Sequence, residues 1–225
     1  MSELIDKIIN FLKWPAALLA LYSLPAFYQS LDYFAFRNLK FVALLGGTVM
    51  FFVARTSMDS GAKTSMQIVA HELTHSFFAI LTLHKVKHIR VENDNSGGSM
   101  AFVGEGNWLI IIAPYFFPLF CFFAMLGIGI YAHFAKINWV VSTIFGYFIG
   151  YHIDAVTSQI NEKQTDLTKV GYPFCWMFLP GANMWIIGSM LAFNSNGWGT
   201  LWRYQQLIGE LNGKNLAYLW QMIFG

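Results

Sequence analysis

Charge is what this chain of 225 residues has least of: Asp, Glu, Lys and Arg together make up 12% of it, about half the share of a soluble domain. That shortage excludes a soluble globular protein with a charged shell. A net charge of +2 is also too small to draw the chain to nucleic acid. Cysteine is nearly absent. Cys121 and Cys175 both fall in apolar stretches, where they read as small buried hydrophobes and say nothing about redox compartment. Repeats, low-complexity tracts and polar linkers are missing too. No segment between the apolar stretches is long enough to bury a core of its own, so residues 1–225 read as one domain.

What is abundant is apolar surface, at 56% of residues. Crossing about 30 Å of hydrocarbon takes roughly 20 helical residues, and residues 106–135 and 170–202 carry no Asp, Glu, Lys or Arg over more than that length. The fold class predicted is an all-α polytopic membrane protein with about six spans, at residues 14–31, 39–54, 64–83, 108–131, 137–153 and 172–193. The first contains Pro15 and Pro25 and the second is short, so these two are expected to tilt, kink or re-enter. Trp14, Trp108 and Trp139 stand at span starts, as interfacial aromatics do. Residues 1–13 interleave apolar and charged side chains at helical spacing, unlike a signal peptide, and are expected on the membrane surface, as are residues 197–225. Lys and Arg divide evenly between the two sides of such a bundle, so orientation is not encoded in them.

Within the third span, His71, Glu72, Leu73, Thr74 and His75 spell H-E-x-x-H, and Glu72 is the only formal charge between residues 64 and 84. On a helix, positions i and i+4 share a face, so both imidazoles can bind one metal while Glu72 reaches a water beside it. With six His and six Glu in the chain, the motif arises by chance in about 0.4% of such sequences. A carboxylate at membrane depth costs several kcal/mol and marks a functional site with a partner, for which zinc is the natural choice. The bland alternative is a pair of histidines hydrogen-bonded inside the bundle, with Glu72 against a base.

A catalytic zinc takes three protein ligands and keeps a fourth position open. The residues after His75 are Ser76, Phe77, Phe78, Ala79, Ile80 and Leu81, which removes the metzincin spacing. The third ligand therefore comes from further along: Glu92, Glu105, Asp154, Glu162 or Asp166, with His84, His88 and His152 as imidazole options. A carboxylate is favoured. His84 and His88 read as surface residues, and His152 as an interfacial residue or else a donor to substrate or to a group behind the ligands. Between the third and fourth spans, residues 86–91 alternate with period two, Asp94, Asn95, Ser96, Gly97 and Gly98 are turn chemistry, and residues 99–103 suit a strand. A β-hairpin is predicted. It offers an edge on which Ile89, Met100 and Phe102 would hold an extended peptide, or else it merely connects two spans.

These residues resemble the site-2 proteases, intramembrane zinc metallopeptidases, and most closely their compact relatives without a PDZ-like domain. The resemblance rests on the H-E-x-x-H string, Gly97 and Gly98, residues 113–118, Tyr151 with His152, and residues 164–167 ahead of Gly171. Together these pieces cover about residues 64–180. It implies one zinc per chain held by His71, His75 and Asp166, Glu72 as general base, and a membrane protein or peptide cut within or beside the bilayer. The chain departs from better-known members in lacking an Asn-Pro-Asp-Gly or Leu-Asp-Gly string. Asp154 is the rival ligand, and Thr165 with Asp166 would alternatively cap a helix. A Ste24-like zinc protease closing its site with Glu105 is the other enzyme reading. A non-proteolytic metal transporter or scaffold is the reading from a different class, disfavoured because the predicted spans hold no acid besides Glu72.

Overall fold

The structure, a computed structural model, describes residues 1–34, 36–91, 97–161 and 164–225. Helices α1 (Ser2–Phe11), α2 (Lys13–Tyr22) and α3 (Leu24–Gln29) lead through a 3-10 turn (Ser30–Tyr33) to α4 (Leu39–Thr56) and α5 (Ser60–Leu81). Strands β1 (Val86–Val91) and β2 (Gly98–Phe102) follow, then α6 (Trp108–Ile112), a 3-10 turn (Ala113–Tyr115) and α7 (Leu119–Tyr131). The chain ends in α8 (Trp139–Gln159), α9 (Thr165–Val170), α10 (Tyr172–Asn196) and α11 (Trp198–Phe224). Four of the helix starts are fixed by an Asn or Asp whose side chain accepts orphan N–H groups: Asn38, Asp59, Asn107 and Asn138.

Two helices, α4 and α10, are each long and apolar enough to cross a membrane. The pair Trp108–Tyr115 and Leu119–Tyr131, bent by 81°, adds a third if it is one broken span. Six were expected, and each difference has a physical reason. Residues 14–31 are interrupted at Ser23, because Pro25 has no N–H to return to the Leu21 carbonyl. Residues 108–131 break around Pro118, and the Tyr115 carbonyl freed there accepts from Asn183 Nδ2 of α10 at 3.0 Å. α5 and α8 reach full length but carry polar side chains, among them Gln67, His71, Glu72 and His75 on the first and His152 and Asp154 on the second. The apolar exterior is plain on α4, where Val42, Leu45, Val49, Met50 and Val53 all face outward.

β1 and β2 pair antiparallel, with Ile89 opposite Met100 and Val86 opposite Phe102, and a bulge between Val86 and His88. The hairpin stands where it is expected; Asp94, Asn95 and Ser96, expected in its turn, lie outside the described residues. It lies against the metal-motif helix so closely that a Cβ on Gly98 would stand 3.0 Å from Glu72 Cγ. His84, expected at the surface, is buried instead. Its Nε2 lies 3.0 Å from Asp6 Oδ2 of α1, and Asn107 Nδ2 donates to Asp6 Oδ1 at 2.6 Å. α1 thus turns Asp6 inward and leaves Leu4, Ile8 and Phe11 exposed.

α4 and α8 touch backbone to backbone through glycines. A Cβ on Gly47 would run into the Thr143 carbonyl, one on Gly146 into the Leu44 carbonyl, and one on Gly150 would lie 2.8 Å from Phe51 Cβ. Small residues let membrane helices approach this closely, and Thr48 Oγ1 donating to the Gly146 carbonyl at 3.0 Å ties the seam. Gly146→Val is expected to cost about 1–3 kcal/mol or more by forcing the helices apart. Gly46→Ala, with nothing within 4 Å of the added carbon, is expected to hold or gain stability. Equilibrium unfolding in mixed micelles reads both, and equal midpoints for the two variants would show that the seam is not tightly packed.

Candidate metal centre

The helical spacing of the motif does what the sequence suggests. His71 and His75 stack edge to face on one side of α5 with ring centroids 4.6 Å apart. The third member arrives from α9, where Asp166 occupies the first turn. Its Oδ2 lies 3.3 Å from His71 Nε2 and 3.3 Å from His75 Nε2. Among the described residues this trio is the one group of three or more His, Cys, Asp or Glu side chains able to share an ion, with ligand atoms within 4.8 Å of one another. Tetrahedral ligands about 2.0–2.2 Å from a zinc ion stand roughly 3.4 Å apart, so the two measured separations suit that ion.

The outer atoms of the ligands are held as well. His71 Nδ1 lies 2.8 Å from Gln159 Oε1, and His75 Nδ1 lies 2.7 Å from the Ile110 carbonyl. Each ring is thereby anchored on one nitrogen with the other directed at Asp166, the arrangement metal-ligating histidines adopt. The Tyr115 hydroxyl stands 3.4 Å from Asp166 Oδ2 and Lys169 Nζ 3.2 Å from Oδ1. Burial alone would raise the pKa of Asp166. Hydrogen bonding to His71 and His75 outweighs it and holds the carboxyl well below the usual range, in the anionic form that binds a cation. The donor set, one carboxylate and two imidazoles with anchored outer nitrogens, fits zinc.

Glu72 is buried beside this trio and not part of it. It lines the same cavity, about 610 Å³ in volume, as His71, His75, Asp166 and the residues Gly98, Ser99, Met100 and Phe102 of β2. The Val103 N–H donates to the Lys85 carbonyl at 2.9 Å. By the alternation of an antiparallel ladder, the N–H groups of Met100 and Phe102 therefore point away from β1. Ile89 sits on β1 with its N–H on the far edge, outside the cavity lining.

The other candidates are accounted for elsewhere. Asp154 accepts from Gln67 Nε2 at 2.9 Å and lies 2.6 Å from Arg55 Nε, an ion pair joining α4, α5 and α8. Glu105 and His88 are exposed. His152, expected at an interface, is buried and shares a cavity of about 20 Å³ with His71, lined also by Pro114 and Pro118. Glu92 and Glu162 lie outside the described residues. Two neighbours escape sequence reasoning: Gln159, whose only signal is polarity at the end of an apolar stretch, and Tyr115, whose hydroxyl meets the ligand acid.

A mostly helical chain with apolar helices of membrane length and a buried His-His-Asp cluster on an H-E-x-x-H helix has the makings of a membrane metallopeptidase. The chain belongs to the Peptidase M50B-like family, which it matches over residues 42–157. That places it with the site-2 proteases its motifs resemble. The matched residues include His71, Glu72 and His75 and stop short of Gln159 and Asp166. No curated protein and no solved structure was found to match.

Asp166→Ala is expected to lower zinc content well below one per chain, while Asp154→Ala keeps the metal and loses the Arg55 ion pair and the Gln67 hydrogen bond. Zinc measured on purified protein separates them. Metal lost from Asp154→Ala and kept by Asp166→Ala would move the third ligand to the end of α8.

Proposed function

We propose that the chain is a zinc-dependent endopeptidase, multi-pass in the membrane, that hydrolyses peptide bonds of membrane-embedded or membrane-proximal substrates. The observation that carries this reading is the convergence of His71, His75 and Asp166 beside Glu72 in a cavity bordered by an unpaired strand edge. His71, His75 and Asp166 would hold the ion, one per chain. When bound, zinc supplies Lewis-acid polarisation of the scissile carbonyl and brings the pKa of water down from 15.7 to about 7.

Glu72 takes the proton from the attacking water and passes it to the leaving amine nitrogen. Its burial between α5, which carries it, and β2 leaves the cavity as its open side. Substrate lies extended along β2, because a helical peptide keeps its carbonyls in intrahelical bonds and withholds them from attack. The outward N–H groups of Met100 and Phe102 pair with the substrate main chain, and their side chains on the same face line the cavity. Ile89 contributes by backing Met100 across the hairpin.

Glu72→Gln is expected to abolish cleavage with zinc retained, since the amide keeps the shape of the carboxylate and cannot accept a proton near neutrality. Cleavage of a helix-weak transmembrane peptide, measured beside zinc content, checks it. Cleavage at the wild-type rate would remove Glu72 as the base.

Proline at Met100 or Phe102 is expected to weaken peptide cleavage at unchanged zinc content, whereas Ile89→Pro, on the far edge, is expected to spare it. Full activity in the Met100 and Phe102 variants would reduce the hairpin to a connector.

A further inference from the structure

We propose that Gln159 is a positioning residue that fixes the tautomer of His71 and so aims its Nε2 at the metal. The inference rests on the zinc-peptidase reading and extends it to a side chain that is neither ligand nor base. A neutral imidazole can carry its hydrogen on either nitrogen, and ligation through Nε2 requires it on Nδ1. What faces Nδ1 therefore decides whether the ring is ready to bind.

A glutamine amide is ambiguous until a neighbour decides which end is oxygen. Here the neighbour is a main-chain carbonyl. The amide nitrogen of Gln159 donates to the Gln67 carbonyl at 3.3 Å, and a carbonyl can only accept. The amide oxygen is thereby turned to His71 Nδ1, 2.8 Å away. Since that oxygen cannot donate either, a hydrogen belongs on Nδ1, and the position that a bound cation takes is Nε2, which faces Asp166 and the cavity and shares a hydrogen with that acid when no ion is held.

The two histidines differ in how they reach this state. His75 Nδ1 meets the Ile110 carbonyl, part of the main chain. His71 alone depends on a replaceable side chain. Gln159 is 8% exposed and is the last residue of α8. The end of that helix is itself pinned to α5 by Gln67 donating to Asp154 and to Ser158 Oγ at 3.0 Å. An amide also suits the place better than a carboxylate would. It orients the ring without adding a third negative charge next to Glu72 and Asp166.

The test uses the full chain in detergent micelles with ¹⁵N-labelled histidine, metal-free, at mildly alkaline pH. Long-range ¹H–¹⁵N correlation shows which ring nitrogen carries the hydrogen. Wild type is expected to show Nδ1–H for both His71 and His75. Gln159→Met, similar in length and volume, is expected to shift His71 toward Nε2–H and leave His75 unchanged as an internal control. Its zinc affinity, read by competition with a chromophoric chelator, should fall about 10–100-fold. Gln159→Glu restores an acceptor and should return the hydrogen to Nδ1 and recover part of the zinc affinity; Gln159→Leu repeats the Met result should that variant fold poorly. A wild-type tautomer and affinity in the Met variant would overturn the proposal, as would a Glu variant no better than Met, which is the signature of packing alone. A wild-type chain that binds no zinc would instead overturn the metallopeptidase reading, and the tautomer measurement would still decide the role of Gln159.

Discussion

The structure closes on one oxygen. Asp166 Oδ2 stands 3.3 Å from the Nε2 atoms of both His71 and His75, and without it the inward nitrogens of both imidazoles would lose the acid they share. Burying unpaired polar groups costs several kcal/mol in hydrocarbon. The oxygen belongs to a residue more than 90 positions away in sequence, on the short helix α9. That helix has little hold of its own at six residues. It is kept by Leu167 and Val170 in the aromatic core with Phe174 and Trp108, and by Lys13 Nζ of α2 donating to the Val170 carbonyl at 2.7 Å.

The remaining helices can be understood as what holds α5 and α9 at that separation. α8 reaches the site only because Gly47, Gly146 and Gly150 let it lie against α4, and its last residue is the one that meets His71. The break between α6 and α7 serves the same site from the other side. The Ile110 carbonyl has no helical partner, because Pro114, four residues on, carries no N–H. The short α6 and the turn after it leave that carbonyl for His75 and bring Tyr115 to within 5.3 Å of the His71 ring.

How much of this is legible in the sequence follows from how local each signal is. H-E-x-x-H is complete within five residues, and its geometry is that of any helix, so His71, Glu72 and His75 stand out from the sequence alone. Asp166 is reached only through family resemblance, because nothing near it in sequence distinguishes a ligand from a helix cap. Gln159 and Tyr115 give no signal of their role: a lone polar residue at the end of an apolar stretch, or a tyrosine inside a resembling string, has no assigned partner until α5 is placed beside it. His84 reads wrongly as a surface residue for the same reason, since its partner Asp6 lies 78 residues earlier. Hydrophobic length and the observed helices part where the sequence carries a proline break or a run of polar side chains, as on α2–α3 and α5.

Polarity along α5 bears on how the proposed chemistry meets its water. The N-terminal half of the helix carries Lys63, Thr64, Ser65 and Gln67, and the cavity over it is bordered by Ser99, Ser158, Gln164 and Lys169. The C-terminal half, with Phe77 and Phe78, packs against Phe116, Phe117 and Phe122. The polar side of His71 and His75 is therefore the one toward the hairpin and the end of α8, and the aromatic half packs the other. A peptide approaching from the apolar side would have to leave its helix to bring a bond to that polar end. On the proposed reading, the edge of β2 that faces away from β1 and is unpaired among the described residues would offer main-chain partners in place of the intrahelical bonds the peptide gives up.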